Sequence, residues 1–290
     1  HTDKTRRITM DMIVETTKPA QPDITTIKAK QKATWEDGDY HGFASYMHDG
    51  AVEILESWDL SNAKTLLDVG CGSGQTAIPA ALKGLRVTGV DIAENLIMKA
   101  REVVAGSSLN VQFDVGDAEA LPYPDASFDA VISLIGAMFA PRPERVVAEF
   151  ARVLKPGGQL CMANWTPTSM PALMFKCCSE VVPPPPGLVP PVLWGDENTV
   201  QQRLAEHFID VKLTRKQYPQ WHYPFDEHEL IDLFRDKFGP VKRAFAMANP
   251  AQATTLYDKL YQVYRDSSET KNGIMTITGG EYLDVVATRR

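Results

Sequence analysis

The residues best placed to do chemistry lie in one short run, Leu66-Leu67-Asp68-Val69-Gly70-Cys71-Gly72-Ser73-Gly74-Gln75, where an apolar strand enters a series of alternate glycines. Glycine lets the chain turn sharply and brings a ligand against bare backbone N–H groups at a helix start. Asp91 ends the next strand candidate, seventeen residues after Gly74. An acid at that place can hold both hydroxyls of a ribose. These features alone suit either a dinucleotide or S-adenosylmethionine, and Gly72-Ser73-Gly74-Gln75-Thr76-Ala77 even satisfies the GxGxxA form of the dinucleotide pattern. Asp68 helps to separate the two. A carboxylate beside the loop repels a pyrophosphate, whereas the methionine end of S-adenosylmethionine offers an ammonium group to pair with it. Charge therefore favours the sulfonium ligand.

Strands and turns must hold these side chains in place. Strand candidates run over Thr65 to Val69, Arg86 to Asp91, Val111 to Val115, Ala130 to Leu134 and Gln159 to Asn164, with helical stretches between several of them. This alternation predicts an α/β fold with a mostly parallel sheet. Upstream, Val52, Leu55 and Trp58 with acids between them suit an amphipathic helix from Tyr46 to Trp58, and regular structure is expected to begin with Trp35 and Tyr40. The pattern breaks after Asn164, since eight of the twenty prolines fall within residues 166 to 191. Proline lacks a backbone donor, so a short helical segment from Met170 to Val182 should give way to an extended loop. The apolar side chains of that segment suit a lid over a site better than a solvated linker. Ile209 to Tyr218 and Glu281 to Thr288 read as further strands, with helices over Glu227 to Phe238 and Ala251 to Arg265 between them.

Composition narrows the function classes. Among 290 residues, 30 Lys and Arg stand against 37 Asp and Glu, a net charge of −7. Residues 1 to 32 hold seven basic and four acidic side chains, which leaves −10 on residues 33 to 290. Such a body argues against a nucleic-acid partner, because phosphate backbone is held by clustered Lys and Arg. The longest nearly apolar run, Ala130 to Ala140, falls far short of the ~20 residues a membrane span needs. The first thirty residues lack an apolar signal core and carry four acids, so a cytoplasmic location is expected. Cys71, Cys161, Cys177 and Cys178 show no CxxC spacing and no paired histidines, so neither a metal site nor a disulfide framework is expected. Residues 1–32 read as an N-terminal arm that orders only against something else, and residues 33–290 as one domain.

Five motifs in order carry a family resemblance: Leu67-Asp68-Val69-Gly70-Cys71-Gly72-Ser73-Gly74, Val90-Asp91, Gly116-Asp117-Ala118-Glu119-Ala120-Leu121-Pro122, Ser127-Phe128-Asp129-Ala130-Val131 and Leu154-Lys155-Pro156-Gly157-Gly158. With this spacing the chain resembles the class I S-adenosylmethionine-dependent methyltransferases. The Gly116 to Pro122 segment looks most like the branch of ubiquinone and menaquinone biosynthesis, methyltransferase type 11. The resemblance implies a Rossmann-like seven-stranded sheet of order 3-2-1-4-5-7-6, with strand seven antiparallel and helices on both faces. It implies that Asp68, Gly70, Cys71, Gly72, Gly74 and Gln75 surround the methionine part of S-adenosylmethionine. Asp91 and Ile92 would then meet the ribose, Asp117 and Ala118 the adenine, the backbone of Ser133 the amino group, and Tyr40 the carboxylate; S-adenosylhomocysteine would be the product.

Methyl transfer from a sulfonium is an in-line displacement from an already activated donor, so the protein must mainly align the reactants and exclude water. A base helps only where the acceptor must lose a proton. His41, His48 and His222 are the candidates by type, and His222, in Trp221-His222-Tyr223 after a strand, could face the acceptor. About sixty residues separate Tyr218 from Glu281, where the minimal fold has a close strand pair. Insertions at about 166–200 and 226–275 are therefore expected to form a helical and proline-rich cap over a small, fairly apolar molecule. Trp35, Trp165, Met170, Phe175, Trp194 and Trp221 would supply its walls. Monomer and homodimer both remain open, as do a nucleotide-dependent oxidoreductase and a non-catalytic cofactor binder on the same fold.

Overall fold

A computed structural model describes residues 23–290. Ten strands run in chain order as β1 (Thr65–Val69), β2 (Arg86–Asp91), β3 (Val111–Val115), β4 (Phe128–Leu134), β5 (Leu154–Trp165), β6 (Phe208–Gln217), β7 (His222–Tyr223), β8 (Ser268–Lys271), β9 (Ile274–Ile277) and β10 (Glu281–Arg289). The helices are α1 (Ile24–Glu36), α2 (Tyr40–Ala44), α3 (His48–Ser57), α4 (Ala77–Leu82), α5 (Glu94–Val104), α6 (Pro143–Val153), α7 (Met170–Ser179), α8 (Glu197–Leu204), α9 (Glu227–Lys237), α10 (Gly239–Met247) and α11 (Pro250–Asp266).

Seven strands form the main sheet, in the order β3-β2-β1-β4-β5-β10-β6. β10 runs antiparallel to both neighbours, while β1 to β5 pair in parallel. β10 is the seventh strand of this sheet along the chain, so the expected order and the expected antiparallel strand are both found. Every residue of β1 is buried, as befits a central strand covered by helices on both faces. The order reverses between β1 and β4, and in open α/β sheets a ligand binds outside the strand ends at such a point.

Two regions depart from the sequence expectation. Regular structure begins at Ile24 rather than at Trp35, because Asp23 caps α1 by accepting from the Thr26 N–H at 3.3 Å. Only Ile27 of this helix is fully buried, so no apolar period announces it. Residues 1–22, the rest of the expected arm, lie outside the described residues. Between β6 and β10 the two expected helices are present as α9 and α11, but α10 and a small antiparallel sheet of order β7-β9-β8 were not anticipated. Strands of two to four residues are too short to show an alternation.

Candidate functional site

The C-terminal ends of β1 to β4 converge on the glycine loop. Gly70 and Cys71 donate their backbone N–H groups to the Val90 carbonyl at 2.8 and 3.1 Å, which ties the loop to the end of β2. Gly70 has φ +73°, and a Cβ there would stand 2.6 Å from the Gly136 Cα. Only glycine allows both the left-handed turn and this approach to the chain leaving β4. Asp91 completes the loop, its carboxylate accepting from the N–H groups of Gly72 and Ala93, each at 2.9 Å. Burial raises the Asp91 pKa above its ordinary value, so hydroxyl donors arriving beside it would relieve a cost that the ligand-free protein carries.

Two adjoining cavities open from this loop. One, of about 770 Å³, runs past Asp91, Ile92, Asp117 and Ala118 beneath α1. Its roof is one helical face: Lys28, Gln31 and Trp35 stand at i, i+3 and i+7. Lys28 pairs with Asp117 at 2.6 Å, and the Gln31 amide donates to the Phe139 carbonyl at 2.9 Å. The other cavity, of about 780 Å³, is bordered by Cys71 and Gln75 and by Trp165, Phe175 and Trp221. Trp35, Tyr40, Gly70, Gly72, Ile135 and Phe139 border both. Burial and the nearby Asp91 charge push the Tyr40 hydroxyl pKa up to about 12.

Six expected site residues border neither cavity. Asp68 is buried behind the loop, where one carboxylate oxygen accepts from the Thr76 hydroxyl at 2.6 Å and the other has no partner. Thr76 itself borders the second cavity. Gly74 (φ +95°) serves as a turn packed on Ile78 and Phe113. The Ser133 hydroxyl bridges the β1 and β4 ends, donating to the Val69 carbonyl at 2.7 Å and accepting from the Ala137 N–H at 2.9 Å. Met170 is buried against Gly279, to whose carbonyl its N–H donates at 2.7 Å. Trp194 lies in a short 3₁₀ turn under the Arg203 guanidinium, 4.7 Å from its ring. His222 is exposed and bonds Thr276. Strand alternation explains its outward placement, since Trp221 and Tyr223 on either side are 2% and 0% exposed. We therefore expect His222→Ala to leave cofactor affinity and turnover within about twofold of wild type, the spread usual for an exposed substitution; a tenfold fall in kcat would restore it as a base. His41 and His48 border neither cavity; the His41 Nδ1 lies 2.8 Å from the Ser73 hydroxyl.

The site also contains residues that sequence reasoning missed. Phe43, Phe234 and Phe238 border the second cavity; the Tyr40/Phe43 and Phe234/Phe238 pairs, at i, i+3 and i, i+4, were the available signal. Ile135 borders both cavities at φ +53°. This is a strained backbone for a β-branched side chain, and nothing in the local sequence announces it.

Burial raises the Asp68 carboxyl from 3.8 to about 7, although the Thr76 hydrogen bond opposes the shift. The folded chain therefore keeps a proton that the unfolded chain releases near pH 4. Its contribution to stability is full below that value and is lost as pH rises through about 7. We expect the melting temperature of the ligand-free protein to decline across this window, with a slope from one proton of at most about 1.4 kcal/mol per pH unit. Asp68→Asn should flatten the curve, and an unchanged slope in that variant would refute the assignment.

A family model described as "Methyltransferase domain" matches residues 67–162. An uncharacterized protein of Mycobacterium tuberculosis, Rv1403c, is 32% identical over 236 residues, covering 80% of this chain and 86% of its own length. The 27-O-demethylrifamycin SV methyltransferase of Amycolatopsis mediterranei is 39% identical over 110 residues, 37% of this chain and 40% of that protein. Among solved structures, the YcgJ protein of Bacillus subtilis superposes with a TM-score of 0.52 at 18% identity, covering 84% of this chain and 99% of that one. A geranyl diphosphate methyltransferase in complex with S-adenosylmethionine gives 0.52 at 16% identity, covering 84% and 85%.

Proposed function

Because the chain belongs to the class I S-adenosylmethionine-dependent methyltransferases, we propose that it methylates a small, fairly apolar molecule by in-line transfer. The observation that carries this is the pair of adjoining cavities, whose shared border includes the two loop glycines Gly70 and Gly72. The first cavity offers what an adenosine needs: Asp91 for the ribose hydroxyls and Asp117 with Ala118 for the base. An added Cβ at Gly70 would stand 2.6 Å from the Gly136 Cα, so the loop between the two cavities keeps this course only with glycine there. S-adenosylmethionine supplies an electrophilic methyl group when bound. The chain's own contribution is alignment and exclusion of water, since the second cavity is walled by aromatic rings from α2, α7, α9 and β5.

The cap falls to α7, through Pro171, Met174 and Phe175, and to α9 with Phe238, rather than to the Pro183–Pro186 run, which borders neither cavity. A mass-spectrometric screen for methylated products, offering amines, phenols and quinone precursors separately with S-adenosylmethionine, tests the proposal. Formation of S-adenosylhomocysteine together with one methylated compound is expected. Tight cofactor binding with no product from any class would favour a non-catalytic protein of the same fold.

A further inference from the structure

The border of the second cavity consists, among the described residues, of neutral side chains: no Asp, Glu, Lys, Arg or His is present. Two aromatic groups form parts of that border. In one, Trp35, Tyr40 and Phe238 stand with ring centroids 5.7 to 6.3 Å apart. In the other, Trp165 stacks on Trp221 at 5.6 Å with Tyr218 against both, at 5.6 and 5.5 Å. The groups that could in principle take a proton are Tyr40, Tyr218 and Cys71. Burial pushes the Tyr40 hydroxyl up to about 12, and the other two well above their ordinary values. The Tyr218 hydroxyl is already engaged, donating to the Met47 carbonyl at 2.9 Å.

A wall of this kind selects among acceptors. An alcohol or phenol must shed its proton to become a good nucleophile, and no side chain on the border itself is a free base to receive it. An acceptor that arrives as an anion loses its hydration against a wall with no cation to replace it. A neutral nitrogen needs neither a base nor a counter-charge. We propose, building on the methyltransferase reading above, that the acceptor is a neutral nitrogen base on an apolar or aromatic skeleton, and that the aromatic walls hold its methylated, cationic product.

The balance of the step is simple. The nitrogen lone pair forms the N–CH₃ bond, and the C–S bond breaks with its electron pair passing to sulfur. The positive charge moves from sulfur to nitrogen, and any N–H proton leaves to water after product release. Ring faces suit that charge because a cation over an aromatic face is attracted by the ring quadrupole, most strongly where water is excluded.

The test measures binding to the full chain saturated with S-adenosylhomocysteine, using phenyltrimethylammonium and its neutral isostere tert-butylbenzene. A preference of about tenfold or more for the cation is expected. Equal affinity, a preference for the neutral compound, or no measurable binding of the cation would overturn the proposal. Trp221→Leu should erase most of the preference and Trp221→Phe should retain it; if Trp221→Leu fails to fold, the wild-type ratio alone decides. In turnover, matched amine and phenol versions of one skeleton should yield the N-methyl product, and transfer to oxygen alone would also overturn it. Calorimetry with S-adenosylmethionine alone keeps the two readings apart. Loss of cofactor binding would count against the methyltransferase function, whereas cofactor binding without cation preference would count only against the nitrogen acceptor.

Discussion

Asp91→Ala should lower affinity for S-adenosylhomocysteine by about 100-fold or more, while the melting temperature stays within a few degrees of wild type. The carboxylate shapes the loop through the Gly72 N–H and the start of α5 through the Ala93 N–H. It also faces the cavity where the ribose is proposed to lie. Hydrogen bonds to a charged group are worth about 1.5–3 kcal/mol each, and about 2.7 kcal/mol corresponds to 100-fold. The stability cost is smaller because the carboxylate is itself held at a disadvantage: burial raises its pKa, so its removal also takes away a desolvation cost. Asp91→Asn, which retains one acceptor oxygen, should fall between the two. Calorimetric titration checks the affinity and thermal unfolding the fold. Affinity within threefold of wild type for Asp91→Ala would remove Asp91 from the site.

A second pair of variants separates backbone strain from close packing. Gly157→Ala and Gly70→Ala both place alanine at a left-handed position, φ +77° and +73°. Around Gly157 no atom lies within 4 Å of the added Cβ, so that variant should lose only the conformational penalty of about 1–2 kcal/mol and keep its cofactor affinity. At Gly70 the added carbon would meet Gly136 backbone at 2.6 and 2.9 Å. Backbone on both sides cannot yield as a flexible side chain can. We expect a loss of about 3 kcal/mol or more in stability, and cofactor affinity lowered by at least tenfold, since the loop must move away from β4. Denaturant unfolding and calorimetry on the same samples decide it. Equal losses in the two variants would mean that the contact between the β1 and β4 ends does not matter.

What could be read from the chain was local. The strand Thr65 to Val69, the turn through Gly70 and Gly72, and the acid at the end of the next strand follow from short-range sterics and strand hydrophobicity. Each was found at its expected residues. The sheet order was implied by the family resemblance, not by local pattern, and is observed. Placement failed wherever direction or partnership mattered. His222 is one residue from two buried aromatics, yet the register of β7 against β9 turns it outward. The Ser133 side chain is likewise committed by its partners, its hydroxyl bridging the ends of β1 and β4.

The amino-acid sequence by itself determined the glycine loop and the acid at the end of the next strand, because these are short runs whose turns and strand pattern act over a few positions. Only the tertiary structure decided the second cavity, where the acceptor is proposed to bind. Its walls come from α2, β5, α7 and α9, segments up to about two hundred residues apart that meet on no shared local pattern. Burial in that meeting removes water from Tyr40 and Tyr218 and holds their protons in place. Asp68 is instead buried within β1, where it accepts from the Thr76 hydroxyl.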